Sequence, residues 1–323
     1  DISVEFGLFK NRLRGSVEYY NRSTDDLIFS VPNPLSSGLD NRIENIGSMF
    51  NRGFEVSLDG IVVKTADFSW GLNVNASTIH NEITKLPQKE IINGTKKLMV
   101  GQSMYDYWLR DWYGVDSADG YALYVSDPAL IVAGDITQRV VNGVNVTTDP
   151  NKALYHYADS AIPDLFGSFG TNFEYKGLRL EVLFAYQIGG MMYDTNYASL
   201  MHTGSSYGSA LSVDVLNRWQ KPGDITDVPR MDVGRNTQSS AASDRWLIGS
   251  DYLSLRQVNL SYKMPSELIS KLGVDNATLY VNGENLLLFT KRQGMDPSQT
   301  FNGTTQNRYM PSRAITLGLN LNF

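Results

Sequence analysis

The chain has 323 residues, enough for one large or two ordinary domains, of which 42% are hydrophobic and only 19% charged. A net charge of -6 with no basic stripe excludes a nucleic-acid phosphate partner, and the absence of cysteine excludes disulfides and thiolate metal sites. No apolar run reaches about 18 residues, so no helix spans a membrane; a strand-built barrel escapes that test because half of each strand is polar.

The chain opens already strand-like, with Ile2, Val4, Phe6 and Leu8 on one face and Ser3, Glu5 and Gly7 on the other. There is no charged-then-apolar leader, and the chain is expected to begin mid-protein. A turn at Lys10-Asn11-Arg12 leads to a return strand placing Leu13, Val17 and Tyr19 opposite Arg14, Ser16 and Glu18. Residues 21–48 are expected to be irregular, with Pro32, Pro34 and Gly38 breaking any ladder. A third strand follows at Phe54, Val56 and Leu58. After a turn at 64–67, Phe68, Trp70, Leu72, Val74 and Ala76 alternate cleanly with small polar residues.

Residues 82–165 do not resolve into strands from the pattern. Alternation resumes at Phe169, Thr171, Phe173 and Tyr175, and turns at Lys176-Gly177. It returns through Leu178, Leu180, Val182, Phe184, Tyr186 and Ile188, with Arg179, Glu181 and Gln187 assigned to a lumen face. Residues 189–245 read as long and polar. In 252–262 the apolar phase slips from odd (Leu253, Leu255) to even (Val258, Leu260, Tyr262), which predicts a β-bulge near Arg256-Gln257. A helical turn is expected within Pro265 to Lys271, then a strand marked by Leu279 and Val281.

The last strand alternates Ile315, Leu317, Leu319, Leu321 and Phe323 with Thr316, Gly318, Asn320 and Asn322. A stretch of about 9–11 residues, apolar outward and polar inward, suits one stave of an outer-membrane barrel. Connections alternate between short (10–12, 64–67, 176–177, 264–276) and long (21–48, 82–165, 189–245, 289–310), as barrel turns and loops do. The fold class is therefore all-β, a transmembrane antiparallel barrel wall of about nine strands. An odd, open sheet with two edges is expected not to close alone.

Several motifs carry a family resemblance across nearly the whole chain. They are Gly7-Leu8-Phe9 through Arg12-Leu13, then Tyr19-Tyr20-Asn21-Arg22-Ser23-Thr24-Asp25-Asp26-Leu27, and Asn45-Ile46-Gly47 through Asn51-Arg52-Gly53-Phe54-Glu55. Further on come Arg218-Trp219-Gln220-Lys221-Pro222-Gly223-Asp224, Tyr252-Leu253 through Leu260-Ser261-Tyr262 with Pro265, and Gly283-Glu284-Asn285-Leu286 through Gly294-Met295-Asp296-Pro297. In this order they resemble the carboxy-terminal third of a SusC/RagA-type TonB-dependent outer-membrane transporter. The resemblance implies a 22-stranded barrel with an amino-terminal plug, a SusD-like surface lipoprotein as lid, and oligosaccharide or peptide as substrate. It also implies contact with TonB through the amino-terminal part that this sequence does not show.

Three expectations about sites follow. Tyr105, Tyr107, Trp108, Trp112 and Tyr113 are substrate-binding candidates, because aromatic faces stack on sugars and peptide side chains; a membrane girdle or loop core competes with that reading. Arg218, Trp219 and Asp224 are partner-contact candidates, against a loop held by its own turn and ion pair. Leu319, Leu321 and Phe323 are the expected signal to the barrel-assembly machinery. Asp116-Ser117-Ala118-Asp119-Gly120 reads as an Asp-Gly turn rather than a calcium loop. His80, His156 and His202 stand apart without metal-ligand spacing, so no metal, cofactor or catalytic residue is expected, and the chain is not expected to be an enzyme. Expected surroundings are the lipid bilayer of a gram-negative outer membrane, crossed many times. A structural or adhesive barrel protein and a soluble carbohydrate-binding domain rank below the importer.

Overall fold

Lys176 and Gly177 both have positive φ (47° and 85°), the mirror-image turn whose twist matches that of a β-hairpin. They close the tightest of the connections in the computed structural model, which describes residues 1–33, 35–38, 40–204, 207–269, 273–306 and 308–322. Nine wall strands follow one another in chain order across a single antiparallel sheet. These are β1 (Ile2–Leu8), β2 (Leu13–Thr24), β3 (Ser48–Lys64), β4 (Phe68–Ser77) and β5 (Leu165–Tyr175). They continue with β6 (Leu178–Ile188), β7 (Tyr252–Lys263), β8 (Asn276–Thr290) and β9 (Ala314–Asn322). Every strand is followed in space by its neighbour in sequence, so the sheet is an up-and-down meander.

The registers align the apolar residues in rows. Leu58 faces Val74, which faces Phe169, then Phe184, Leu255 and Leu287. Two levels nearer the short turns, past Leu72, Thr171, Val182 and Val258, the residues Trp70, Phe173, Leu180, Leu260, Val281 and Leu317 form another row. This outer face is uncovered: Ile315 is 74% exposed, Leu317 71% and Val4 61%. The opposite face carries Arg14, Asp59, Asn73, Gln257 and Glu284 in one row. Arg179 and Glu181 pair there, and Gln187 donates to Ser250 Oγ at 2.8 Å. A water-facing sheet would show the reverse arrangement. Here the solvent for the greasy face is hydrocarbon.

Two details fit that solvent. Strand β6 spans 11 residues, about 33 Å at roughly 3.3 Å per residue, which a tilt of about 40° projects onto a band of about 25 Å. Near the short turns, Trp70 stacks on Phe173 with centroids 5.7 Å apart. Its indole N–H donates to Thr171 Oγ1 at 3.0 Å, and that hydroxyl donates to Gly71 O at 3.1 Å. These two polar groups on the outer face are thereby answered from within the sheet, as lipid requires. Phe68, Tyr175 and Tyr262 flank the same turns, at the depth where aromatic residues collect.

The expected bulge is present: pairing skips Arg256 on both sides, from Leu183↔Gln257 to Phe184↔Leu255 and from Leu255↔Leu287 to Gln257↔Glu284. The extra residue returns the odd and even apolar sets to one face. The helical turn also appears, as Ser266–Ile269; its expected continuation to Lys271, like Pro34 and Phe323, lies outside the described residues.

Three expectations need correction. Residues 21–48 are not irregular: β2 runs on to Thr24, and Ile28–Pro32 pairs with Asn41–Asn45 as a hairpin. Pro32 is the last residue of its strand, where a missing N–H disturbs the ladder least. The unresolved stretch 82–165 forms two small sheets, one of Glu90–Asn93, Lys96–Met99, Asp106–Arg110 and Tyr155–Ser160. The other contains Trp112–Val115, Ala122–Val125, Gln138–Val141 and Val144–Thr147. The polar-looking 189–245 supplies Tyr193, Met201, Val215 and Val228 to a core that also holds Tyr107, Leu109, Ala161 and Trp246. The largest packed core among the described residues thus lies in the loops. The wall leaves its own apolar side chains bare.

Candidate functional site

The four long connections leave the same end of the wall, and the three within 82–165, 189–245 and 289–310 pack into one cap. Tyr107 fastens three of them: its hydroxyl donates to Gly303 O at 2.5 Å and approaches Met191 O at 3.2 Å. The ring is fully buried, and burial raises its phenol well above the usual value. Lys96 lays its ammonium 3.2 Å from the centre of that ring and donates to the Tyr105 carbonyl. Burial pulls the Lys96 ammonium down to about 7, with the Asp106 carboxylate opposing.

Strand alternation divides the aromatic candidates. Tyr107 and Leu109 point into the core, whereas Trp108 and Arg110 take the other face of the Asp106–Arg110 strand. There Trp108 stands 4.9 Å from Tyr157 and 6.1 Å from Tyr155, centroid to centroid, and Lys97 Nζ lies 4.0 Å over its ring. Arg110 caps Tyr155 at 4.8 Å. Tyr105 packs edge-on to Phe301, and Trp112 edge-on to Tyr124 with Arg245 above it. Tyr113 donates to Val141 O at 3.2 Å. The five candidates therefore do not form one surface. Trp108 joins Tyr155 and Tyr157, two residues that sequence reasoning passed over, in a half-open aromatic patch carrying two cations.

A second concavity of about 170 Å³ lies beside Asp194, Tyr197, Arg292, Met295 and Arg308. Asp194 caps the helix Thr195–Leu200 through the Tyr197 N–H, and Arg292 Nε sits 2.8 Å from its other oxygen. The Arg292 guanidinium also lies 3.5 Å over the Tyr197 ring. A half-buried cation and a buried carboxylate on one wall can orient a ligand that carries charge of either sign.

The partner-contact candidates sit on a loop folded on itself. Asp224 accepts from the Gln220 and Lys221 N–H groups, both at 3.0 Å, and Trp219 donates its indole N–H to Ser117 O at 3.0 Å. Trp219 covers Gly120, whose positive φ of 75° and bare α-carbon leave no room for a side chain: a Cβ would lie 2.4 Å from the indole. Among the described residues Arg218 has no ion pair, so the expected pair within this loop is not seen. Asp116 and Asp119 both bind Arg139, at 2.8 and 2.7 Å, which makes the Asp-Gly turn an ion-paired corner. Leu319 and Leu321 stand on the outer face of β9 opposite Leu279 and Ala277.

One cluster had no signature in the sequence. His156 Nε2 lies 3.1 Å from Asp244 Oδ2, and Asp111 joins them, the three offering ligand atoms within 4.8 Å of one another. Burial raises the Asp244 carboxyl above its ordinary value, and neighbouring Asp111 adds to that, against the Trp112 N–H and His156. The residues are separated by 45 and 88 positions, so no spacing rule finds them.

No family model matches the chain. It is 27% identical to TonB-dependent receptor P3 of Formosa agariphila over 351 residues, covering 100% of this chain and 34% of that protein. It is 24% identical to TonB-dependent receptor SusC of Bacteroides thetaiotaomicron over 330 residues, covering 99% of this chain and 31% of that one. Among solved structures, the RagAB peptide transporter superposes with a TM-score of 0.83 at 26% identity, over 99% of this chain and 34% of the other. The chain thus spans about a third of the length of the relatives it matches. Wall, loops and relatives together give the chain the fold of a stretch of outer-membrane β-barrel, similar over its whole length to TonB-dependent receptors. Within that class the resemblance is to the SusC/RagA type of transporter, whose matched relatives are receptors and transporters rather than enzymes.

Proposed function

We propose that this chain supplies nine staves of the barrel of a nutrient importer in a gram-negative outer membrane, which it crosses many times with its loop cap outside the cell. The observation that carries the reading is the inversion of burial: bare apolar rows on the wall, and a packed core in the loops. Only a molecule with hydrocarbon around its waist and water above it is stable in that form. The unpaired outer edges of β1 and β9 are to be completed by further staves, and a plug and TonB contact belong to parts of the protein outside this chain. An oligosaccharide or peptide passes beneath a SusD-like lipoprotein seated on the cap, with the Trp108 patch as a stacking surface. Folding in the membrane follows recognition of β9 by the barrel-assembly machinery.

Native mass spectrometry of the protein extracted from outer membrane in mild detergent tests this directly. A large assembly holding a lipoprotein supports the importer; a lone 36.0 kDa species soluble without detergent overturns it. Within the importer, Trp108→Ala should weaken substrate binding about tenfold, roughly 1.4 kcal/mol, while the melting midpoint stays put. Unchanged binding would remove Trp108 from the substrate path.

A further inference from the structure

We propose that Asp111, His156 and Asp244 bind a divalent transition-metal ion of the zinc kind, which braces the loop cap. Two carboxylates and a neutral imidazole carry a charge of −2, which a divalent ion cancels. Among the described residues no lysine or arginine is placed to do so. Arg110, next to Asp111, gives its guanidinium to the carbonyls of Pro150 (2.7 Å) and Ala242 (3.1 Å). Arg245, next to Asp244, gives its own to Ser239 and Asp227 carbonyls, stacked between Trp112 and Trp246. Among the described residues no donor serves the Asp111 carboxylate.

The geometry suits a four-coordinate ion. Ligand atoms about 2.0–2.1 Å from a tetrahedral centre stand about 3.3 Å apart, and the His156–Asp244 separation is 3.1 Å. Asp111 offers a third ligand atom within 4.8 Å of the other two, leaving one position for water. Imidazole in the set disfavours calcium and magnesium, which take oxygen ligands.

The positions are held from behind. Arg110 and Ser243 form a parallel β-bridge, which fixes the two segments bearing Asp111 and Asp244 side by side. The second Asp244 oxygen accepts from the Trp112 N–H at 2.9 Å, and His156 lies on Tyr155–Ser160, paired with Asp106–Arg110. Such outer contacts orient ligands and sharpen metal affinity. The ion would join the Asp106–Arg110 sheet to the Asp244–Trp246 segment, on the face of that sheet opposite the Trp108 patch.

The test uses the protein purified from outer membrane in detergent, stripped with a chelator and titrated with zinc by calorimetry. His156→Gln and Asp111→Asn are the variants, because neither disturbs the Asp244–Trp112 contact. The proposal expects wild type to bind one more zinc per chain than either variant, at least tenfold more tightly than any residual site. Zinc should raise the wild-type melting midpoint by several degrees and leave the variants unmoved. In parallel, cobalt should give the visible bands of a four-coordinate centre in wild type alone. Equal zinc stoichiometry in wild type and variants overturns the proposal, as does a preference for calcium.

Discussion

The hydroxyl of Tyr107 donates to the carbonyl of Gly303 across 2.5 Å of space and 196 residues of chain. At Gly303 itself φ is 77°, and a Cβ would fall 2.2 Å from the Tyr107 hydroxyl and 2.4 Å from the Ala161 methyl. Phenol and glycine are therefore a matched pair, and together they lock the 291–313 connection onto the cap. Tyr107→Phe removes this donor, leaving the Gly303 carbonyl the Tyr193 N–H at 2.7 Å, and is expected to cost about 0.5–1.5 kcal/mol of cap stability. Hydrogen exchange of the Met191 and Gly303 segments should quicken accordingly, with β6 and β7 amides unchanged. Uniform exchange across the cap would show that Tyr107 does not fasten it.

On the wall, Tyr280 of β8 lies across Gly318 of β9, so close that a Cβ at 318 would sit 2.2 Å from the phenol ring. An aromatic side chain here covers the backbone that glycine leaves bare. Gly318→Val forces the ring away and should lower stability by about 1–3 kcal/mol. Comparing thermal unfolding in detergent with that of the Tyr280→Ala, Gly318→Val double variant checks the cause. The second substitution should recover part of the loss, and a purely additive pair would mean that the ring is not responsible.

Lys96 gives the cap a pH dependence whose sign is fixed by its depressed value of about 7 against 10.5 in the unfolded chain. Below about 7 both states carry the ammonium and the folded cap bears the full cost of burying it. Between the two values the unfolded chain binds more protons, so stability rises with pH. From pH 6.5 to 9.5, below the bulk of tyrosine ionisation, the gain should be about 3 kcal/mol. Tryptophan-fluorescence melts of wild type and Lys96→Met measure it. The variant should show a flatter profile, and identical profiles would assign the dependence elsewhere.

The strand order of the wall, its outward face and its sorting of turns from loops were legible in the sequence, because each depends on neighbours a few positions apart. The alternation from Phe68 to Ala76 or from Leu178 to Ile188 is sufficient to assign a face. The slip between Leu255 and Val258 is likewise enough to require one extra residue, Arg256. Membrane immersion sharpens that signal, since a side chain on the wrong face meets the wrong solvent. The cap gave no such signal. Its strands are four to six residues long, too short for a period to declare itself. Tyr107 and Trp108 are adjacent and chemically alike, yet one is sealed in a core and the other lies on an aromatic patch. That division depends on Met191, Trp246 and Gly303, which arrive from other loops. His156 meets Asp244 in the same way, across 88 residues. Local alternation is written in the chain one residue after the next; the cap is decided by long-range packing, in which partners are chosen by shape and desolvation after the wall has brought the loop ends together.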